Sequence, residues 1–231
     1  MPVYWLDERL QFPSPHLADV SGVLAVGGDL SIERLLLAYE MGIFPWYDEE
    51  ESPILWHAPH ERFVITPDTF RFGRSIKKLV ARHQYTLTFD HDFRQVITHC
   101  ARVPRDGQDG TWLGLDMLNA YCALHTAGYA HSAEAYLNDR LVGGLYGVTI
   151  GGCFFGESMF SLEDGVSKII FAQLAPKLFD MGYSLIDCQM HTPHLARFGA
   201  SSIESGEFYA LLSEAVRARM TIGWPGNQPH G

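Results

Sequence analysis

Cysteine is scarce in this chain and never paired. Its four residues, Cys100, Cys122, Cys153 and Cys188, are scattered through 231 positions. None has the spacing of a zinc or redox site, and no disulfide framework is expected. Long apolar runs are missing as well, since none reaches the ~20 residues of a membrane span. Met1 to Glu8 show no basic stretch followed by an apolar one, so no secretory leader is expected and the compartment reads as the cytoplasm. Phosphate-loop, zinc-ligand and nucleophile-elbow patterns do not occur. The histidine pairs His57/His60 and His191/His194 are three apart but have proline inside or beside them and no third ligand nearby. They read as surface or packing residues. Acids are locally absent too. The net charge is −10, yet Thr69 to Phe89 holds no acid and five bases, Arg71, Arg74, Lys77, Lys78 and Arg82.

What is present is a packed soluble pattern, 47% apolar and 19% charged. Residues 1–20 read as an irregular arm. Val23 to Ala25 is a short strand, and Ser31 caps a helix that Gly42 stops. Pro53 to Trp56 is another strand, and a small N-terminal α/β subdomain is expected over 1–65. Residues 66–231 form the larger unit. A helix over 74–83 carries Arg74, Lys77, Lys78 and Arg82 on one face. A strand at 85–90 and a helix at 93–101 follow, then a polar loop to Gly110 and a helix at 115–126. Strands at 130–136, 141–150 and 153–160 make an antiparallel meander. A long apolar helix covers 166–181, with a kink expected at Pro176. A buried strand covers 184–189, and short elements near Leu195 and over 208–219 close the chain. The class is α+β with a mixed, mainly antiparallel sheet, similar in order and lengths to the acetyltransferase-like (GNAT) architecture.

Two runs carry the chemistry. Gly152 to Ser161 and Leu185 to Gln189 read as interior strands, yet each holds an acid. A carboxylate among apolar neighbours is costly unless paired or used. Glu157, Asp187 and Gln189 are therefore the candidate site.

Other pieces join these runs. They include Gly27-Gly28-Asp29-Leu30, Gly42-Ile43-Phe44-Pro45-Trp46, Thr111-Trp112, Ala130-His131-Ser132 with Glu134, and Leu141 to Gly147. Phe155 to Ser161, Ser167-Lys168, Leu185 to Gln189, His194-Leu195 and Gly199-Ala200 complete the set. In register over residues 22–203, the chain resembles the bacterial leucyl/phenylalanyl-tRNA–protein transferases. Departures are local: Trp56 is followed by His57 rather than a second tryptophan, and His57 to Arg62 differs from the common Ser-Pro-Asp-Pro-Arg form.

The resemblance implies transfer of Leu, Phe or sometimes Met from aminoacyl-tRNA to the α-amine of a protein beginning with Arg or Lys. The new terminus marks that protein for degradation. The tRNA partners would be Leu-tRNA and Phe-tRNA, engaged through acceptor stem and 3′ end by a monomer. An aminoacyl ester is already activated, and an α-amine of pKa about 8 is partly neutral at pH 7. Alignment, proton removal and oxyanion stabilisation then suffice, so the resemblance implies no ATP, metal, cofactor or covalent intermediate, in keeping with the missing motifs.

The resemblance gives Asp187 and Gln189 the catalytic role, with Asp187 holding Gln189 across one strand face. An amide oxygen is a very poor base, so Gln189 is read as orienting the amine. The alternative is a buried Asp–Gln pair that only satisfies its own hydrogen bonds. Glu157 would meet the basic side chain or ammonium group of the acceptor, or else pair with Lys168 or Arg197. The aminoacyl pocket would be walled by Leu145, Phe154, Met159, Leu174, Leu178 and Ile186, with Ser161 at the strand end; each is also a plausible core residue. Tyr39, Trp46, Trp112 and Tyr121 would stack on the terminal adenosine, or else pack in the core. Arg71, Arg74, Lys77, Lys78 and Arg82 would meet tRNA phosphates, or else form a solvated charged face. Two other functions stay open at this stage. An acyl-CoA N-acyltransferase would need a pyrophosphate loop before the 166–181 helix, where Leu162-Glu163-Asp164-Gly165 stands instead. A non-catalytic N-degron-binding module would leave the basic helix without work.

Overall fold

The computed structural model describes residues 4–47, 52–102, 113–217 and 223–226. In chain order the first elements are β1 (Tyr4–Leu6), β2 (Val23–Gly27), α1 (Ile32–Glu40), β3 (Phe44–Pro45) and β4 (Leu55–His57). Their strands form a small sheet in the order β1-β2-β4-β3. The expected irregular arm thus contains a strand, Tyr4–Leu6, lying parallel to β2. Three residues on a sheet edge are too few to set a period. Ser31 caps α1 as expected, accepting from the Arg34 N–H. Gly42 ends it at φ +72, where an added Cβ would lie 2.7 Å from the Phe208 ring.

Next come β5 (Glu61–Ile65), α2 (Arg74–Val80), β6 (Thr86–Phe89), α3 (Phe93–Arg102) and α4 (Leu115–Thr126). The meander is β7 (Ala130–Leu137), β8 (Arg140–Ile150) and β9 (Cys153–Ser161). Then follow α5 (Val166–Asp180), β10 (Leu185–Asp187), α6 (Pro193–Ala196), β11 (Ser201–Glu204) and α7 (Ser205–Arg217). Seven strands form the large sheet in the order β11-β5-β10-β9-β8-β7-β6. Its one parallel pairing among the described residues joins β9 and β10. The class is α+β with a mixed, mainly antiparallel sheet.

Strand β5 pairs with β10 and β11 in this sheet, so the small sheet ends at His57 and residues 61–65 belong with the larger unit. Helix α2 stops at Val80, three residues short of the expected end. His83, just beyond it, is exposed at φ +49. Helix α4 buries Met117, Tyr121 and Leu124. Helix α5 runs through Pro176 without a break in its assigned span.

The large sheet separates two apolar cores. One joins the small sheet and α1 to α3, α4 and α7 through Tyr39, Trp56, Ile97, Tyr121, Phe155 and Leu212. The other, beneath α2 and α5, holds Ile76, Leu145, Phe154, Phe171, Leu174 and Ile186. Among the described residues, no helix is long and apolar enough to cross a membrane.

Candidate active site

The site forms where β9 and β10 part. They are paired at Cys153–Leu185, Phe154–Ile186 and Phe155–Asp187, and there β10 ends. Strand β9 continues against β8, but Tyr146 faces Ser158 while Gly147 faces Gly156. Glu157 is the extra residue between them, a β-bulge of the kind that re-aims side chains beside active sites. The bulge also resolves a parity conflict. Phe154 and Met159 are five apart, so an unbroken strand would send them to opposite faces. With one residue inserted, both face the same cavity.

That cavity measures about 420 Å³. Leu145, Phe154, Met159, Phe171, Ile186 and Leu195 give it apolar walls, and Glu157, Ser158 and Gln189 give it a polar end. Four of the expected pocket residues, Leu145, Phe154, Met159 and Ile186, therefore line it. Leu174 and Leu178 are fully buried in the core beneath, behind the lining. Ser161 is exposed and spends its hydroxyl oxygen on the Ser167 N–H at 2.9 Å.

Glu157 accepts from Tyr39 Oη at 2.7 Å, from Tyr121 Oη at 3.2 Å and from Gln189 Nε2 at 2.8 Å. Neither Lys168 nor Arg197, the sequence-based alternatives, pairs with it. Burial pushes its carboxyl up to about 7, against the hydrogen bonds of the two tyrosines, which pull it down. Both tyrosines are fully buried, with Tyr39 packed on Phe155 and Tyr121 on Tyr146. Their rings have no free face for a base, so the expected stacking role fails; they orient Glu157 instead. Burial and the adjoining carboxylate raise both phenols well above the ordinary range, so they remain donors. Trp46 is half-buried beside His57, and Trp112 lies outside the described residues.

Gln189 does not share a strand face with Asp187. It lies past the end of β10 at φ +61. Its backbone N–H donates to Asp187 Oδ1 at 2.8 Å, and its carbonyl accepts from Phe63 N at 3.2 Å. Its side-chain Nε2 donates to Glu157, which turns the amide toward the polar end of the cavity. Asp187 is completely buried and outside the cavity lining. It fixes the Gln189 turn without touching the amide side chain.

Sequence reasoning missed the partner of Asp187. Arg62 is 1% exposed and reaches Asp187 Oδ2 through Nη2 at 2.6 Å and Oδ1 through Nε at 3.0 Å. Its Nη1 donates to the Gly42 carbonyl at 2.7 Å, and its guanidinium lies over the rings of Phe44 and Phe208. A lone arginine in a strand carries no local signal of a partner 125 positions away. His194, expected as a surface or packing residue, lines the cavity, and its buried Nε2 has no hydrogen-bond partner among the described residues. Burial, together with Lys168 and Arg197, drives it down to about 4, so it stays neutral.

Arg71, Arg74, Lys77, Lys78 and Arg82 are all exposed, and no ion pair occupies any of them among the described residues. Four lie on or just before α2; Arg82 lies past its end.

An apolar cavity with a buried carboxyl and an oriented amide at its polar end has the form of an enzyme's active site. Comparison with known proteins specifies which. A family model described as leucyl/phenylalanyl-tRNA protein transferase matches residues 64–213, and the model for its N-terminal domain matches 28–60. A leucyl/phenylalanyl-tRNA–protein transferase of Myxococcus xanthus (strain DK1622) is 52% identical over 94% of this chain and 93% of its own. One from Syntrophotalea carbinolica is 51% identical over 99% of both. The chain belongs to the leucyl/phenylalanyl-tRNA–protein transferase family. Among solved structures, FemX overlaps 79% of this chain and 71% of its own at 11% identity, with a TM-score of 0.48.

Proposed function

We propose that this protein moves leucine or phenylalanine, and sometimes methionine, from aminoacyl-tRNA to the α-amine of proteins beginning with Arg or Lys. It does so in the cytoplasm, as a monomer, and the product carries an N-degron. The observation that carries this reading is the cavity between β9 and β10, apolar along its walls and closed at one end by the Glu157–Gln189 pair. Leu, Phe and Met share an apolar body unbranched at Cβ. A cavity of this volume holds any of them, and β-branched Val or Ile fits it less well; one methylene alone discriminates by only ~1–3 kcal/mol.

With the side chain in the cavity, the ester carbonyl sits at the polar end. The acceptor amine donates one hydrogen to Gln189 Oε1, which aims its lone pair at the carbonyl carbon. The new C–N bond forms as the carbonyl becomes an oxyanion. That intermediate collapses by breaking the bond to the ribose oxygen. The nitrogen loses one proton and the ribose oxygen gains one. Glu157, titrating near 7, is poised both to take up and to release a proton at working pH. This suits proton transfer better than an amide oxygen does, and it leaves Gln189 the task of orientation. The five exposed bases about α2 supply a phosphate-binding face for the acceptor stem.

Labelled Leu-tRNA and a peptide with N-terminal Arg test the reading. Label should pass to the peptide without ATP. Label that stays on tRNA, with acyl-CoA consumed instead, would refute it.

A further inference from the structure

We propose that a second cavity receives the first residue of the acceptor protein, with Glu61 as the counter-charge to its Arg or Lys side chain. This rests on the transfer reading above and gives that site its acceptor subsite.

The second cavity measures about 340 Å³, and Gln189 and Met190 line it as well as the first. Gln189 is thus a shared wall. An amine held on its amide oxygen can face the ester on one side while its own side chain enters the other. Glu61 and Phe63 alternate with inward-facing Arg62 along β5, and both line this second cavity. Ser202 of β11 stands opposite Phe63 and lines it too. Phe63 and His191, edge to face at 4.9 Å, both line the cavity and give an aliphatic stem ring atoms to pack against.

Charge decides what enters. Among the described residues that line it, Glu61 is the only acid and none is Lys or Arg. It is exposed and has no ion pair among the described residues. Directly across the strand pair stands Glu204, also exposed. Two like charges in register are unfavourable, and a cation between them relieves that. Reach agrees: Phe63 bonds Gln189, and Glu61 is two residues further along β5, about 6.6 Å away. That is the scale of an extended Lys or Arg side chain. Glu157 is a weaker counter-charge, since three hydrogen bonds already occupy its carboxyl.

The test uses the full chain, Leu-tRNA and three peptides that differ only in an N-terminal Arg, Lys or Glu. Glu61→Gln should raise KM for the Arg and Lys peptides about tenfold, the size of one lost charge-assisted contact. Glu61→Lys should raise it further and bring the Glu peptide into use. KM for Leu-tRNA should stay within about twofold of wild type; loss of folded enzyme would lower Vmax and leave both KM values unmoved, so a rise confined to the peptide KM reports the subsite. Unchanged peptide KM values in both variants, or equal rises for peptide and tRNA, would overturn the subsite while wild-type transfer still upheld the reading. No transfer by the wild type to the Arg peptide would overturn the reading and the subsite together.

Discussion

Burying a carboxyl sets its charge against its solvation, and at Glu157 solvation loses part of the contest. The group binds its proton more tightly in the folded chain, at about 7, than at its ordinary value of 4.5. Between those values the folded state holds more protons than the unfolded one, so stability falls as pH rises and levels off above about 7. Glu157→Gln escapes that loss. Its melting temperature should match wild type near pH 4.5 and exceed it at pH 8, as differential scanning calorimetry would read. On the proposed mechanism the sign reverses in turnover, because the charged form is the one that takes up the proton. Wild-type kcat should climb through pH 7, whereas Glu157→Gln should lose about 10²–10⁴ in kcat and that rise with it. Arg62 and Asp187 behave differently. Their pair is fully buried, so removing one partner strands the other. Arg62→Met should cost about 3–5 kcal/mol in urea unfolding, and the double change Arg62→Met with Asp187→Leu distinctly less.

At the scale of elements, the bulge in β9 has the largest effect. It depends on Gly147, where a Cβ would lie 2.2 Å from the Phe155 carbonyl oxygen and 2.5 Å from the Phe154 ring. Gly147→Ala should therefore destabilise by about 1–3 kcal/mol in urea titration and turn Glu157 away from the cavity, lowering kcat. This is also where sequence reasoning reached its limit. The meander was legible because β7, β8 and β9 alternate or run apolar between clear turns, such as Asn138-Asp139 with both residues at positive φ. That Glu157 and Gln189 belong to one site was legible from the cost of polar groups in apolar strands. The extra residue at Glu157 was not, because a bulge changes pairing without changing composition. Nor was the end of β10 at Asp187, since Cys188 and Gln189 read as more strand. Tyr39 and Tyr121 looked like stacking platforms because sequence cannot say which side of a ring is covered.

For the whole molecule the decisive quantity is charge distribution. A net charge of −10 repels nucleic acid at long range, and the five bases about α2 are a local exception. Phosphate contacts made there release counterions, so tRNA affinity should fall steeply with salt. Arg74→Glu with Lys77→Glu should weaken Leu-tRNA binding and flatten the log–log salt slope by about 1–2. Asp187→Ala should do the reverse: it strands Arg62 and lowers stability, but the folded fraction should keep its tRNA affinity while kcat collapses as the Gln189 turn relaxes. Filter binding over a salt series separates the two.

Arg62 also bears on how the chain comes apart. One guanidinium joins the turn after α1, through Gly42, to the turn that carries Gln189, through Asp187, and its faces are covered by Phe44 from the small sheet and Phe208 from α7. Peeling away the small sheet would expose one side of a buried ion pair to water and leave the other in an apolar interior. The two family models that meet between residues 60 and 64 therefore do not mark two cooperative units. The first sixty residues are part of the catalytic unit's integrity, and evolution could exchange them for another module only by finding a new home for that cation.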